Sequence, residues 1–142
     1  MPDTQTEPKL LLPQLQSFYD SVIPLAWPIV RIAIGLNLMI HGWGKVSRGP
    51  AAFVKPFSDL GFEPAILWVW GGLLIEFVGG IALMFGLFTR FWAAAIAIEM
   101  MVIVYHHLPK FGWTDRGYEY PLMWGLLMLA IALRGEIGRA HV

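Results

Sequence analysis

The chain has 142 residues, 57% of them hydrophobic and only 14% charged, with a mean hydropathy of +0.61. A soluble domain carries about 25% charged residues, so this composition points to one domain of a membrane protein. Net charge is zero and cysteine is absent, which argues against a basic nucleic-acid face and excludes disulfides, thiol catalysis and cysteine-ligated iron–sulfur clusters within the chain.

Residues 1–21 read as a polar tail with a short surface helix over Leu10–Tyr19; Pro2, Asp3 and Glu7 replace the basic start of a cleavable signal. The first span is expected over 22–43, with Pro24 and Pro28 in its first turns, where missing amide donors are tolerated. Its length suits a hydrocarbon layer that needs roughly 20 helical residues. Residues 44–64 form the longest connection, broken by Gly49-Pro50 and Pro56. There Phe53, Phe57, Leu60 and Phe62 stand among charges, as in an interfacial helix or a folded loop cap.

The second span is expected over 65–87 and the third over 91–108, and the short turn between them makes the two antiparallel neighbours. Residues 109–120 are polar, with Gly112, Asp115 and Gly117 as turn signals. The fourth span is expected over 118–134. Its apolar run from Pro121 to Leu133 is short, so Tyr118, Glu119, Tyr120 and Arg134 must extend it by reaching towards the interfaces. Residues 135–142 are a tail.

The expected fold is therefore all-α: a four-helix transmembrane bundle with both termini on one side. Trp27 and Trp92 fall near that side, and Trp43, Trp68 and Trp113 near the other, as in an interfacial belt. Basic residues divide four against five, with Lys9, Arg90, Arg134 and Arg139 against Lys45, Arg48, Lys55, Lys110 and Arg116, so charge does not orient the chain. The working expectation is the inner membrane of a bacterium, with cytoplasmic termini.

Three spans carry a charge near the middle: Arg31, Glu76 and Glu99. A charge at the bilayer centre costs roughly 3 kcal/mol or more, so these residues are expected to meet inside the bundle at one depth. Arginine can fork to one carboxylate. The other carboxyl, lacking a full counter-charge, could then carry a proton. The competing reading is that the pair only locks helix packing.

A second polar layer lies at the loop-side ends: His41 and Lys45, His106 and His107, Tyr118 and Glu119. Glu99 and His106 are seven apart and share a helical face. Histidine exchanges protons near neutral pH and also ligates metals and haem, but no tight His-x-x-x-His or Glu-x-x-His pattern supports a metal site. Gly72, Glu76 and Gly80 are spaced by four, which allows either close helix approach or room for a ligand beside Glu76.

These residues resemble the DoxX family of small four-helix membrane proteins. The resemblance rests on Arg31, Gly35 and His41-Gly42-x-x-Lys45, then Glu76-x-x-Gly79-Gly80-x-x-Leu83-x-x-Gly86-x-x-Thr89-Arg90, then His106, and covers residues 25 to 134. It implies a membrane partner in redox metabolism, in some members a quinone-reducing subunit, with Arg31, His41, Lys45, Glu76, Arg90 and His106 as the family-type polar residues.

The leading expectation is a redox-associated protein that binds a quinone-like hydrophobic ligand, with haem a weaker candidate and no metal site. Glu76, Glu99, His41 and His106 would exchange protons, and Arg31, Lys45, Gly72, Gly80 and Glu119 would line the ligand site. No nucleotide fingerprint is present, so electrons would come from a redox partner or a bound group. Membrane lipids and a second copy of the chain are the other expected partners. The alternatives are a small proton-linked transporter acting as a homo-oligomer and a non-catalytic scaffold for soluble redox enzymes.

Overall fold

The computed structural model of the protein describes residues 12–134. The expectations for residues 1–11 and for the tail at 135–142 lie outside the described residues. Those described form five helices and no strand: α1 Pro13–Arg48, α2 Ala51–Asp59, α3 Ala65–Phe85, α4 Thr89–His107 and α5 Glu119–Arg134.

Helix α1 is longer at both ends than the span read from the sequence. Its N-terminal part includes 3₁₀ turns at Pro13–Leu15 and Ile23–Leu25, each with a proline at its start. Pro24 is thus absorbed in a tightened turn instead of ending the helix. At the other end, Gly49 adopts φ +81° and Pro50 leads into α2, which turns the chain sharply. The connection contains a nine-residue helix, α2, carrying a Lys55–Asp59 ion pair at 2.8 Å.

Helix α3 ends in a Schellman motif: Gly86, at φ +77°, donates to the Leu83 carbonyl, and Leu87 donates to that of Ala82. The chain reverses within Gly86–Phe88 and starts α4 at Thr89, so α3 and α4 run antiparallel.

Packing between α1 and α3 is set by glycine. A Cβ on Gly80 would fall 2.7 Å from the Gly35 carbonyl oxygen, and one on Gly42 would fall 2.6 Å from the Phe77 amide nitrogen. Backbones this close require small residues at the crossing. Helices α4 and α5 pack antiparallel, with Met100 and Met101 seated over Gly125 and Arg90 Nε donating to the Ala132 carbonyl at 3.2 Å. Ile34 and Leu38 of α1, Leu83 of α3, Ile96 and Met100 of α4, and Met128 and Ile131 of α5 meet in one core.

The outward faces are also apolar. Ile29 and Ile40 of α1, Leu67 and Trp70 of α3, Ile98 of α4 and Leu133 of α5 are all exposed. Three helices, α1, α3 and α4, are long and apolar enough to cross a membrane. Helix α5 has 16 residues, which span about 24 Å.

Candidate functional site

The polar cluster forms where the second half of α1 crosses the middle of α3. Residues Leu74–Val78 of α3 make a π-helical turn that contains Glu76. Such turns are usually single insertions in an α-helix and often mark functional sites. Glu76 is buried, only 7% exposed. Lys45 Nζ lies 2.7 Å from its Oε2. That is the distance of a charge-assisted contact between an ammonium, with its three rotatable donors, and a carboxylate.

Glu99 of α4 approaches the same point. Lys45 Nζ and Glu99 Oε1 each stand 3.2 Å from where a Cβ on Gly72 would sit. Gly72 therefore makes room for the lysine and the second carboxylate together. Glu99 Oε2 is buried without a hydrogen-bond partner. One cation thus serves two carboxylates: it pairs with Glu76, and Glu99 keeps a buried oxygen without a donor.

This cluster opens into a cavity of about 810 Å³. Its walls are largely apolar: Phe57 of α2 and Leu60 just after it, Phe62 from the approach to α3, Trp68 from the first turn of α3, and Ile98 and Val102 from α4. His106 lines it and stacks on Phe62, the ring centres 4.6 Å apart, while Phe62 also contacts Phe57 and Trp68. Helix α2 is thus an aromatic cover, and Lys45 lies under it with its ammonium 5.9 Å from the Phe57 ring centre.

A second cavity, about 330 Å³, lies on the other side of Glu76. Asn37, His41, Asp115, Arg116 and Tyr120 line it. The Tyr120 hydroxyl donates to Asn37 Oδ1, tying α5 to α1, and the His41 ring lies 6.5 Å from that of Tyr120.

Lys45, Gly72, Glu76, Glu99 and His106 come together at the large cavity as candidate site residues. Arg31 does not join them, and the expectation that it meets Glu76 and Glu99 at one depth is corrected. The α1–α3 register sets Gly35 against Gly80 and Gly42 against Phe77, so Lys45 reaches Glu76. Arg31, about 21 Å back along the helix axis, lies beside Gly86 with Nη1 2.9 Å from that residue's Cβ position. Among the described residues it forms no ion pair, and its Nε is buried without a partner.

Three further placements differ from the sequence reading. Gly80 is taken up by packing against Gly35 and Met39 and does not line the cavity. His41 lines the smaller polar cavity instead of joining Glu76 and Glu99 in the larger one. Glu119 opens α5 half-buried and lines neither cavity.

Asn37 and His107 were not selected from the sequence as site residues, yet Asn37 lines the smaller cavity and His107 lines both. Each left a signal. Asn37, His41 and Lys45 recur every four residues along one face of α1, and Glu99, Ile103 and His107 do so along α4. The π turn and the aromatic cover left no comparable pattern. Among the described residues, no group of three or more His, Asp or Glu side chains converges as a metal site.

The sequence pattern of the DoxX family matches residues 26–108, which contain α2, α3, α4 and the whole Lys45–Glu76–Glu99 cluster. No curated protein and no solved structure matches the chain.

Proposed function

The chain belongs to the DoxX family and is an integral membrane protein, and from that premise we propose that it binds a quinone-like amphiphile in the cavity beneath α2. The observation that carries this reading is the Lys45–Glu76–Glu99 cluster, in which a buried ion pair and a Glu99 oxygen without a donor border an apolar space of about 810 Å³. Ligand pockets commonly measure about 300–1,000 Å³ and combine apolar walls with a few convergent polar groups. The aromatic and aliphatic walls suit a flat ring and an alkyl tail, while Lys45 and His106 offer hydrogen bonds to ring oxygens.

When bound, a quinone supplies two-electron chemistry coupled to proton uptake, with electrons from a redox partner of the chain. Glu76 and Glu99 exchange the protons. Lys45 balances their charge, the role the sequence reading assigned to Arg31, and His106 orients the headgroup. Helix α5 is the fourth crossing segment of a bundle whose described ends lie on one side, cytoplasmic in a bacterial inner membrane. Tyr118 and Glu119 at one end, and Arg134 resting on Trp27 at the other with 4.6 Å from guanidinium to ring centre, support that depth. The exposed apolar faces of α1 and α5 leave room for lipid or a second copy of the chain.

The test is mass spectrometry of organic extracts from protein purified in mild detergent. Near-stoichiometric quinone that is lost in Glu76→Gln supports the reading. Phospholipid alone overturns it and favours transport or scaffolding.

A further inference from the structure

The two cavities on either side of Glu76 share three lining residues: Glu76 itself, Ile103 and His107. These three side chains therefore border both the smaller cavity, which carries Asn37, His41, Asp115 and Arg116 among apolar residues, and the apolar space beneath α2. Ile103 can carry no proton. His107 lies one turn further along α4 and also lines a third cavity, about 660 Å³, beside Asp59, Lys110, Asp115 and Arg116 at the loop end. Its Nδ1 is buried and has no hydrogen-bond partner among the described residues.

We infer that His107 carries protons from the loop-side cavities to Glu76. This rests on the reading of Glu76 as a proton-exchanging carboxyl. Imidazole can take a proton at one ring nitrogen and release one from the other. In the step, water in the loop-side cavity protonates one nitrogen, and the other nitrogen gives its proton through a water in the shared cavity to a Glu76 carboxylate oxygen. His107 ends neutral, Glu76 ends as the acid, and the water side loses one proton.

Charged and titratable groups surround both ends of this step. Lys45 faces Glu76 from α1, and Glu99 and His106 face the larger cavity from α4, with Glu63 at its rim; His41 of α1 and Tyr120 of α5 share the smaller cavity with Glu76 and His107; Asp115 and Arg116 face His107 from the connection, with Asp59 of α2 and Lys110 beside them. With both carboxylates ionised, Lys45, Glu76 and Glu99 carry a net negative charge, and one proton neutralises the cluster.

The test is rapid-mixing infrared spectroscopy of the purified full chain in lipid nanodiscs. The Glu76 carboxyl band is identified by its loss in Glu76→Gln and followed after a pH jump. His107→Phe, which keeps a ring in the wall, is expected to slow the response about tenfold or more. Tyr105→Phe, on the outward face of α4, leaves it at the wild-type rate. His107→Ala is expected to be slow until imidazole is added, a rescue that a packing role does not give. A wild-type rate in both His107 variants overturns the inference alone. A wild-type Glu76 band that never moves overturns the proton-exchange reading of Glu76 as well.

Discussion

Lys45 Nζ stands 2.7 Å from Glu76 Oε2, and only 14% and 10% of the two side chains are exposed. Removing one partner of a pair this enclosed leaves an uncompensated charge, which costs about 3–5 kcal/mol for a fully buried pair. Lys45→Met is therefore expected to lower stability by about 3 kcal/mol in denaturant titrations of the detergent-solubilised protein. Adding Glu76→Leu should recover most of that loss. A double variant no more stable than Lys45→Met would show that charge pairing is not what the lysine contributes.

Arg31 supplies the complementary test. It lies against Gly86, at the far end of α3 from the cluster. Distant sites without shared partners behave independently. Arg31→Met should change quinone retention by less than about twofold, while Lys45→Met abolishes it, with both read in the same extraction experiment. Loss of ligand in Arg31→Met with the fold intact would restore arginine to the site.

Glycine positions along α3 separate packing from space. A Cβ at Gly80 would lie 2.7 Å from the Gly35 carbonyl oxygen and 2.8 Å from the Met39 amide nitrogen, both backbone atoms that cannot swing aside. Gly80→Ala is expected to destabilise by about 1–3 kcal/mol or more through overpacking. At Gly71 nothing lies within 4 Å, so Gly71→Ala should be neutral or stabilising by up to about 1 kcal/mol. Thermal unfolding of both variants decides; equal effects would refute the α1–α3 contact.

Phe62 joins the aromatic cover to the site, with its ring 4.6 Å from that of His106 and 5.2 Å from that of Trp68. Phe62→Ala is expected to cost about 1–2 kcal/mol, less than a fully buried phenylalanine because the ring is only partly enclosed. It should also raise the reaction rate of His106 with diethylpyrocarbonate, followed by peptide mass spectrometry. An unchanged rate would mean that the cover does not shield the histidine.

The absence of cysteine makes sidedness directly measurable. In sealed vesicles, single cysteines in Leu12→Cys and Leu133→Cys should react with an impermeant maleimide from one side, and Trp113→Cys from the other. Labelling of Leu12→Cys and Leu133→Cys from opposite sides would leave an odd number of crossings and remove α5 as the fourth segment.

Much of the fold was legible before any coordinates. A composition too apolar for a soluble domain, runs of membrane-spanning length, and a Gly86–Arg90 turn too short for anything but antiparallel neighbours are properties of local sequence, and local sequence sets hydrophobic burial and helix termination. Glu76 and Glu99 were visible for the same reason, since a charge inside an apolar run is expensive wherever it finally sits. The identity of their partner was not. Depth estimated from the middle of each run paired Glu76 with Arg31, but helices slide until their closest surfaces meet, and the glycines at 35, 42 and 80 choose a register that brings Lys45 to Glu76. The π turn at Glu76, the cover that α2 makes over the cavity and the wall shared by Glu76 and His107 likewise depend on contacts between residues far apart in the chain. Sequence alone determined which residues must leave the lipid; only tertiary packing decided which of them meet.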